Sequence, residues 1–420
     1  MSQDIAALVR GAHDAARMGR WDEAEAIWHK VRLADPSNPQ ALYSLGVHAF
    51  QRGDLKGAIE LLGEAARVAP TDASIQMSLG VAKRESGDLD GEWDAINAAL
   101  AADAYFLPAL LGKGQFLEHT GRPKAAADVY RNVLRVAPPE ARWPEALRDQ
   151  LLHAKAAVEA YTDAYSDFLA RTLALPRAAL SAAVQERWTE AASIMAGRTQ
   201  PYLSNTNQLN VPRLPAVPFF DRSLFPWAER VEAHTDAIRT ELLAALQAQK
   251  QAFTPYIEYK PGEPVNQWGD LNHSERWSTY PLWRGGQPVA DNLDHCPLTR
   301  MALAEAELVE IDGLCPNAMF SALAPHTHIP PHHGETNARI VVHLPLIVPD
   351  NCIFRVGFEK REWKVGELMM FDDTIEHEAR NDSDELRVVL IFDAWNPLIS
   401  LEEREMVKAM ALAARTFSQI

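Results

Sequence analysis

The chain has 420 residues, which at about 100–200 residues per domain allows two or three domains. Apolar residues make up 47% and charged residues 23%, and this balance excludes disorder along the whole length because it supplies enough apolar surface for a core. With 57 acidic and 41 basic residues the net charge is -16, and without a local basic run this argues against a nucleic-acid partner.

The N-terminal segment carries charged residues throughout and has no continuous apolar stretch, which is unlike a signal peptide or a signal anchor. No run in the sequence reaches about 18 consecutive apolar residues, so we expect no membrane-spanning helix. The cysteines are Cys296, Cys315 and Cys352, too few and too far apart for a disulfide framework or a four-cysteine zinc site. We therefore expect a cytoplasmic protein.

Residues 1–150 contain an internal repeat of about 34 residues. Two series of glycines keep this interval: Gly19, Gly53, Gly87 and Gly121, and then Gly46, Gly80 and Gly114. A small residue within one helix followed by a turn glycine at this period resembles the tetratricopeptide repeat, which implies helix pairs stacked into a solenoid with a groove. We expect a protein or peptide partner in that groove. The alternative is a helical array without a partner.

Residues 151–200 continue as an Ala- and Leu-rich helical segment, predicted to cap the solenoid and to connect it to the next domain. Five prolines between residues 201 and 226 then exclude a long helix or a central strand. Further on, short apolar runs such as RIVVHLPLIV, ELMMF and RVVLIFDAW alternate with turn signals. Such closely spaced strands predict a double-stranded β-helix, or jelly roll, over residues 201–420, with a C-terminal helix at its end.

Histidines are concentrated in this second domain, and imidazole is the commonest protein ligand for iron, zinc and copper. His332 lies just before the run RIVVHLPLIV, and His377 lies just after the run ELMMF. Both are therefore placed at strand ends, and we predict that they meet and bind a metal. His326, His328 and His333 are interpreted as residues that form hydrogen bonds in loops or around the metal site.

Arg387 opens the run RVVLIFDAW, and the turn before it predicts that this strand folds back antiparallel to the preceding one. Arg387, Val389 and Ile391 share one face of the strand, so a lone cation would lie on an apolar inward face. Because a buried unpaired cation is very costly and arginine binds carboxylates bidentately, we expect a ligand carboxylate there. Two histidines, an arginine and a jelly roll together indicate an oxygenase that uses Fe(II), 2-oxoglutarate and O2.

The usual iron triad has an Asp or Glu two residues after the first histidine, and here Gly334 occupies that position. Either water completes the iron shell or another residue, with Glu335 nearest in sequence, supplies an oxygen ligand. Asp372 and Asp373 are predicted to form a turn rather than to take part in catalysis. Two other functions stay open: a cupin-type enzyme with a different metal such as zinc, and a non-enzymatic adaptor with a structural barrel.

The segment from SALAPHTHIPPHHGETNAR to RVVLIFDAWNP, with FDD-x-x-EHE and an arginine ten residues beyond its histidine, resembles the aspartyl/asparaginyl β-hydroxylase family. The similarity covers roughly residues 200–400, and helical repeats ahead of the hydroxylase domain also suit this family. The resemblance implies that His332 and His377 bind iron without a carboxylate ligand. It further implies that Arg387 and Ser321 bind the far carboxylate of 2-oxoglutarate, with His343 beside the cosubstrate.

The same resemblance implies that Arg339 binds an acidic side chain of the substrate and that Trp277 lines the substrate cleft. The family's second substrate arginine would fall at Val341, and the loss of one charged donor would weaken selection for an acidic side chain. We expect hydroxylation at the β-carbon of an Asp or Asn residue in a protein or peptide, with the repeats as a docking arm. The alternative target is a small amino acid or the acyl chain of a lipid.

Overall fold

The computed structural model describes residues 2–311 and 313–417. The chain divides into two compact units, Met1–Arg198 and Thr199–Ile420. Residues 418–420 belong to the predicted C-terminal helix and lie outside the described part. Within that part, no helix combines the length and apolar character needed to cross a membrane.

The first unit opens with antiparallel helix pairs: α1 Ser2–Arg17, α2 Trp21–Ala34, α3 Pro39–Gln51, α4 Leu55–Val68, α5 Ala73–Glu85, α6 Leu89–Ala102, α7 Leu107–His119 and α8 Pro123–Val136. The turn glycines predicted from the repeat join the members of each pair and have φ between 71° and 82°, which glycine adopts without steric cost. At Gly46 an added Cβ would lie 2.7 Å from Leu62 Cγ, so the second glycine series lets paired helices pack closely. The predicted helical solenoid is confirmed.

The remaining helices of this unit are α9 Arg148–Thr172, α10 Ala174–Ala178 and α11 Ala182–Ala196. Helix α9 packs Leu151 and Ala154 against Tyr130 and Val133 of α8. The last repeat therefore buries its apolar face against α9 instead of presenting it to solvent.

The second unit contains helices α12 Ala228–Glu232, α13 Thr235–Ala248, α14 Ala290–Asp294, α15 Pro297–Ala304 and α16 Leu401–Phe417. Its strands are β1 Thr254–Pro255, β2 Trp277–Arg284, β3 Gln287–Pro288, β4 Ala318–Leu323, β5 Thr327–His332, β6 Arg339–Ile347, β7 Cys352–Val356, β8 Glu359–Arg361, β9 Met369–Phe371, β10 His377–Asn381 and β11 Arg387–Trp395. One sheet has the order β1-β2-β4-β11-β6-β9, with β3 beside β2, and the other has the order β5-β10-β7-β8. From β4 onward the chain passes repeatedly between two antiparallel sheets, which is the strand order of a double-stranded β-helix.

Successive side chains on each strand of the larger sheet point to opposite faces, so the sheet contributes to two separate cores. Val388, Leu390 and Phe392 of β11 lie in the outer core, which the helices α12 to α15 cover. Val389 points the other way, into the core between the two sheets, where it meets Phe354 of the smaller sheet. This alternation leaves the space between the sheets available to the inward side chains of β2, β4, β6 and β11.

The predicted hairpin between β10 and β11 is wrong. Strand β10 pairs with β5 and β7, whereas β11 pairs with β4 and β6. The chain crosses between the sheets at this corner, where the Asn381 side-chain amide donates to the backbone carbonyls of Leu323, Ala324 and Glu385. These bonds join the turn between β10 and β11 to the end of β4.

Candidate active site

A cavity of about 700 Å³ opens between the inner faces of the two sheets. Every residue that the sequence predicted for the site lines it: Trp277, Ser321, His332, Arg339, His343, His377 and Arg387. The larger sheet supplies most of these side chains from inward positions, and the smaller sheet supplies the two predicted metal ligands. The fold therefore brings the predicted residues together, while their roles in binding iron and 2-oxoglutarate stay predictions.

His332 and His377, here called the histidine pair, end β5 and begin β10 at directly opposed positions. Their ring centroids lie 4.0 Å apart. The Nδ1 atoms lie 2.8 Å from the Pro330 carbonyl oxygen and 3.1 Å from the Ile375 carbonyl oxygen. Since a carbonyl can only accept, each Nδ1 carries the proton and each Nε2 keeps a free lone pair.

Burial lowers the pKa of His332, and it holds the pKa of His377 well below the usual range, where the neighbouring His332 acts in the same direction. Both rings are therefore neutral at physiological pH. Neutral imidazoles with a fixed tautomer are what a divalent metal requires.

Gly334 occupies the place of the missing triad carboxylate, and the structure shows what fills the adjacent space. A Cβ at Gly334 would lie 2.0 Å from the Asp373 Oδ2 atom. Among the described residues, no group of three His, Cys, Asp or Glu side chains is close enough to hold a metal ion together. Glu335 instead lies 3.6 Å from the Arg339 guanidinium, so the open alternative of a Glu335 ligand finds no support.

Arg387 is the most unusual charge in the cavity. Its side chain is 1% exposed, and its Nε and Nη1 atoms have no hydrogen-bond partner within residues 2–311 and 313–417. The guanidinium lies 4.7 Å above the ring of Trp363. Burial lowers the pKa of Arg387 to about 10. A cation in this state needs an anion that the protein itself does not supply.

Two indole groups set the hydrogen-bonding character of the neighbouring residues. Trp363 Nε1 donates to His343 Nδ1 at 3.2 Å, which leaves the His343 proton on Nε2 because indole is a donor only. Burial, with Arg387 nearby, holds the pKa of His343 well below its usual range. Trp277 Nε1 donates to Ser321 Oγ at 3.1 Å, so the Ser321 hydroxyl hydrogen stays free to donate. The groups near Arg387 are thus arranged as donors.

Arg339 lies in a second charged group, the acid cluster of Glu335, Asp373 and Asp393. Its Nη1 atom donates to Asp373 Oδ2 at 3.1 Å and lies 3.3 Å from Asp393 Oδ1. Burial opposes the Arg339 charge, but Asp373 and Asp393 outweigh it and hold the pKa well above its usual range. Burial raises the pKa of Asp373 to about 7, although Arg339 acts in the opposite direction.

The other predicted residues take the following places. His326 and His328 are exposed and pair with Asp384 and Glu378 at 2.9 and 2.7 Å, so both form hydrogen bonds as predicted, and His333 lines the cavity. Asp372 accepts from the backbone of Thr374 at 2.9 Å and forms the predicted turn.

Asp373 also lies in this turn, and its carboxylate reaches into the cavity wall and pairs with Arg339. The two-residue period from Met369 through Phe371 would have found it. The same period, continued on β11 from Arg387 through Ile391, would have found Asp393. Trp363 gave no periodic signal in the sequence.

Part of each unit matches a described family model. Residues 232–397 match the family model described as aspartyl/asparaginyl beta-hydroxylase, and residues 9–73 match that of the tetratricopeptide repeat. The family resemblance drawn from the sequence is confirmed.

Individual relatives match a little less than half of this chain. An ornithine lipid ester-linked acyl 2-hydroxylase of Rhizobium tropici is 36% identical over 186 residues, 44% of this chain and 62% of that protein. An aspartyl/asparaginyl beta-hydroxylase of Mus musculus is 31% identical over 206 residues, 48% of this chain and 26% of that protein. An aspartate beta-hydroxylase domain-containing protein 2 of Rattus norvegicus is 31% identical over 49% of this chain and 59% of that protein. Each alignment spans less than two thirds of the relative.

Proposed function

We propose that the second unit, a domain of the aspartyl/asparaginyl β-hydroxylase family, is a hydroxylase that depends on Fe(II) and 2-oxoglutarate. The observation that carries this proposal is the buried guanidinium of Arg387, whose Nε and Nη1 atoms have no partner among the described residues, in the same cavity as the histidine pair. A dicarboxylate that binds a metal at one end and needs a cationic partner at the other satisfies both features. The donor character of His343 and Ser321 adds two further groups suited to a carboxylate.

With O2, iron and 2-oxoglutarate would supply the oxidising power that inserts a hydroxyl group into a C–H bond. His332 and His377 would hold the iron through Nε2, and so small a set of protein ligands leaves positions open for cosubstrate and oxygen. Arg387 would bind the distal carboxylate, with the Ser321 hydroxyl as a further donor.

The target follows from two separate observations. Repeats of the tetratricopeptide type form grooves that bind peptide segments, which favours the β-carbon of an aspartyl or asparaginyl residue in a protein or peptide, with the repeats as a docking arm. Val341 in the second arginine position and the ion-paired state of Arg339 favour instead a target without a carboxylate, such as the acyl chain of a lipid. Mass spectrometry of each substrate class after turnover, seeking the gain of one oxygen atom, separates the two.

Anaerobic titration of the metal-free protein with Fe(II) and then 2-oxoglutarate tests the proposed chemistry. We expect a weak visible absorption band near about 500 nm that needs both components, as a chelated keto acid on Fe(II) gives. His377→Ala should lose the band. His328→Ala is the matched control, because it removes an exposed histidine from β5, the strand that carries His332, and it should keep the band.

The other outcomes point to the alternatives. Metal binding without the band, together with turnover supported by zinc, would indicate a cupin-type enzyme of different chemistry. Absence of metal binding would favour an adaptor in which the repeats bind a partner and the barrel is structural. In either case Arg387 would need another anion.

A further inference from the structure

The half of the cavity around Arg339 holds more carboxylates than cations, and we propose that it takes a substrate with a positively charged group, an ammonium or a guanidinium, rather than a carboxylate. This inference rests on the proposed hydroxylase function and names the substrate class for it. It replaces the expected role of Arg339, which would be the counter-ion of the acid cluster instead of a ligand for an acidic substrate.

The first step is that the positive charge of Arg339 is already neutralised. Its guanidinium lies 3.1 Å from Asp373, 3.3 Å from Asp393 and 3.6 Å from Glu335. Asp373, Asp393 and Arg339 are all buried, so solvent screens these charges little. Above about pH 7, where Asp373 is ionised, a carboxylate brought beside Arg339 would also meet the acid cluster and would be repelled.

The second step concerns the rest of the lining. Besides Arg387, the charged side chains of described residues in the cavity wall are four carboxylates and two arginines: Glu258, Glu335, Asp373, Asp393, Arg284 and Arg339. Glu258 and Arg284 are both exposed and offset each other. Once a dicarboxylate occupies Arg387, the remaining wall is therefore net negative.

The third step is the separation of the two charged ends. Arg387 and Asp393 lie on the same inward face of β11, six residues apart, which corresponds to about 20 Å of strand. Val389 and Ile391 lie between them and are apolar. A cosubstrate held at the Arg387 end therefore leaves the acid cluster unneutralised at the other end.

The acid cluster also contains an acceptor without a partner. Asp373 is 5% exposed and lines the cavity, and its Oδ1 atom has no hydrogen-bond donor among the residues that the structure describes. Aromatic rings of Tyr256, Trp268 and Trp277 lie against each other in the same wall. Carboxylates combined with aromatic faces are suited to cations.

Val341 contributes no charge to this half of the cavity. It lies on β6 between Arg339 and His343, it faces the inner core, and it lines the cavity. An arginine at this position would add one positive charge beside the acid cluster and leave room for an acidic substrate. With valine there, the cluster keeps its excess negative charge.

The test measures binding of three ligands of equal length, hexylammonium, hexanamide and hexanoate, by the fluorescence of the cavity tryptophans. The full chain is first loaded anaerobically with Fe(II) and 2-oxoglutarate, so that Arg387 is occupied. We expect hexylammonium to bind at least about tenfold more tightly than hexanoate, because like charges in a buried site repel strongly. Val341→Arg should reverse this order, and the uncharged control Val341→Met should keep it.

Tighter binding of hexanoate or hexanamide to the wild-type chain overturns the inference, as does failure of hexylammonium to bind while 2-oxoglutarate binds. An unchanged order in Val341→Arg also overturns it. If 2-oxoglutarate itself fails to bind, the proposed function falls. The three ligands are then compared on Arg387→Ala, where no cation remains at the far end, and their order still decides the charge preference.

Discussion

Replacement of Arg387 by methionine should stabilise the ligand-free protein while removing 2-oxoglutarate binding. Burial lowers the pKa of Arg387 to about 10, and such a shift corresponds to about 3 kcal/mol of disfavour for the charged form. Methionine has a similar length and no charge, so it relieves this cost. It forfeits the stacking on Trp363, which is worth about 0.5–2 kcal/mol. The expected net gain is about 1–2 kcal/mol in the free energy of unfolding.

The pH dependence follows from the direction of the shift. A base whose pKa is lower in the folded state disfavours folding at every pH below that lowered value. The cost therefore persists through neutral pH and fades only as the pH rises through about 10 towards the unfolded pKa. The stability difference between Arg387→Met and wild type should be constant between about pH 6 and 9 and should shrink above that range.

Urea unfolding of both proteins, with and without 2-oxoglutarate and metal, measures these effects. Ligand at a hundredfold excess over its dissociation constant should stabilise wild type by about 2.7 kcal/mol and leave the variant unchanged. Arg404→Met is the matched control, because Arg404 also lies over a tryptophan, Trp395, but has a carboxylate partner in Glu307. That variant should gain nothing. A loss of more than about 1 kcal/mol in Arg387→Met would show that Arg387 is a structural residue and refute the reasoning.

The remaining predictions concern the metal site and its surroundings. Because burial lowers the pKa values of the histidine pair, the Fe(II) affinity measured by titration should stay constant as the pH falls below 6.5, the ordinary histidine pKa. A decline in affinity that begins at pH 6.5 would contradict this prediction. Trp363→Phe keeps a ring beneath the arginine but loses the N–H bond to His343, so the KM for 2-oxoglutarate should rise about fivefold, and an unchanged KM would argue against this role. Gly334→Ala should destabilise the protein by about 1–3 kcal/mol through its clash with Asp373, and Asp373→Ala should recover most of that loss in a double-mutant cycle by urea unfolding, whereas additive losses would exclude the clash.

Most of the fold was predictable because its signals are local and periodic. The 34-residue interval of the turn glycines identifies the helix pairs directly, since the positive φ at Gly53 and its counterparts is a requirement of each turn. Apolar runs likewise identify strands such as β6 and β11. The path from β10 to β11 was not predictable in this way, because a short polar turn is compatible both with a hairpin and with a crossing between sheets. Only the contacts of Asn381 with distant carbonyls decide between them.

The candidate site likewise combines residues that strand alternation predicts with residues that it does not. Alternation along β11 predicted that Arg387, Val389 and Ile391 face inward. The next position with the same orientation is Asp393, so the same alternation leads to it. Trp363 could not be predicted, because it follows the β7–β8 hairpin in a segment without strand periodicity. Its position is set by stacking on Phe354, with ring centroids 5.2 Å apart. A residue held by tertiary packing alone leaves no local pattern in the sequence.

The charged side chains at the two ends of β11, Asp393 and Arg387, differ in whether the protein itself supplies their hydrogen-bond partners. Asp393 is fully partnered, since Asn317 donates to it from both backbone and side chain at 3.0 and 3.1 Å and Arg339 lies 3.3 Å away. Arg387, on the same face of the same strand, has no such partner for its Nε and Nη1 atoms in the described part of the chain. Because proteins rarely bury a charge without a partner unless a ligand supplies it, the unpaired end of the strand marks where an anion belongs. The Asp393 end of the strand is already rich in carboxylates, so a second anion is not expected to bind there.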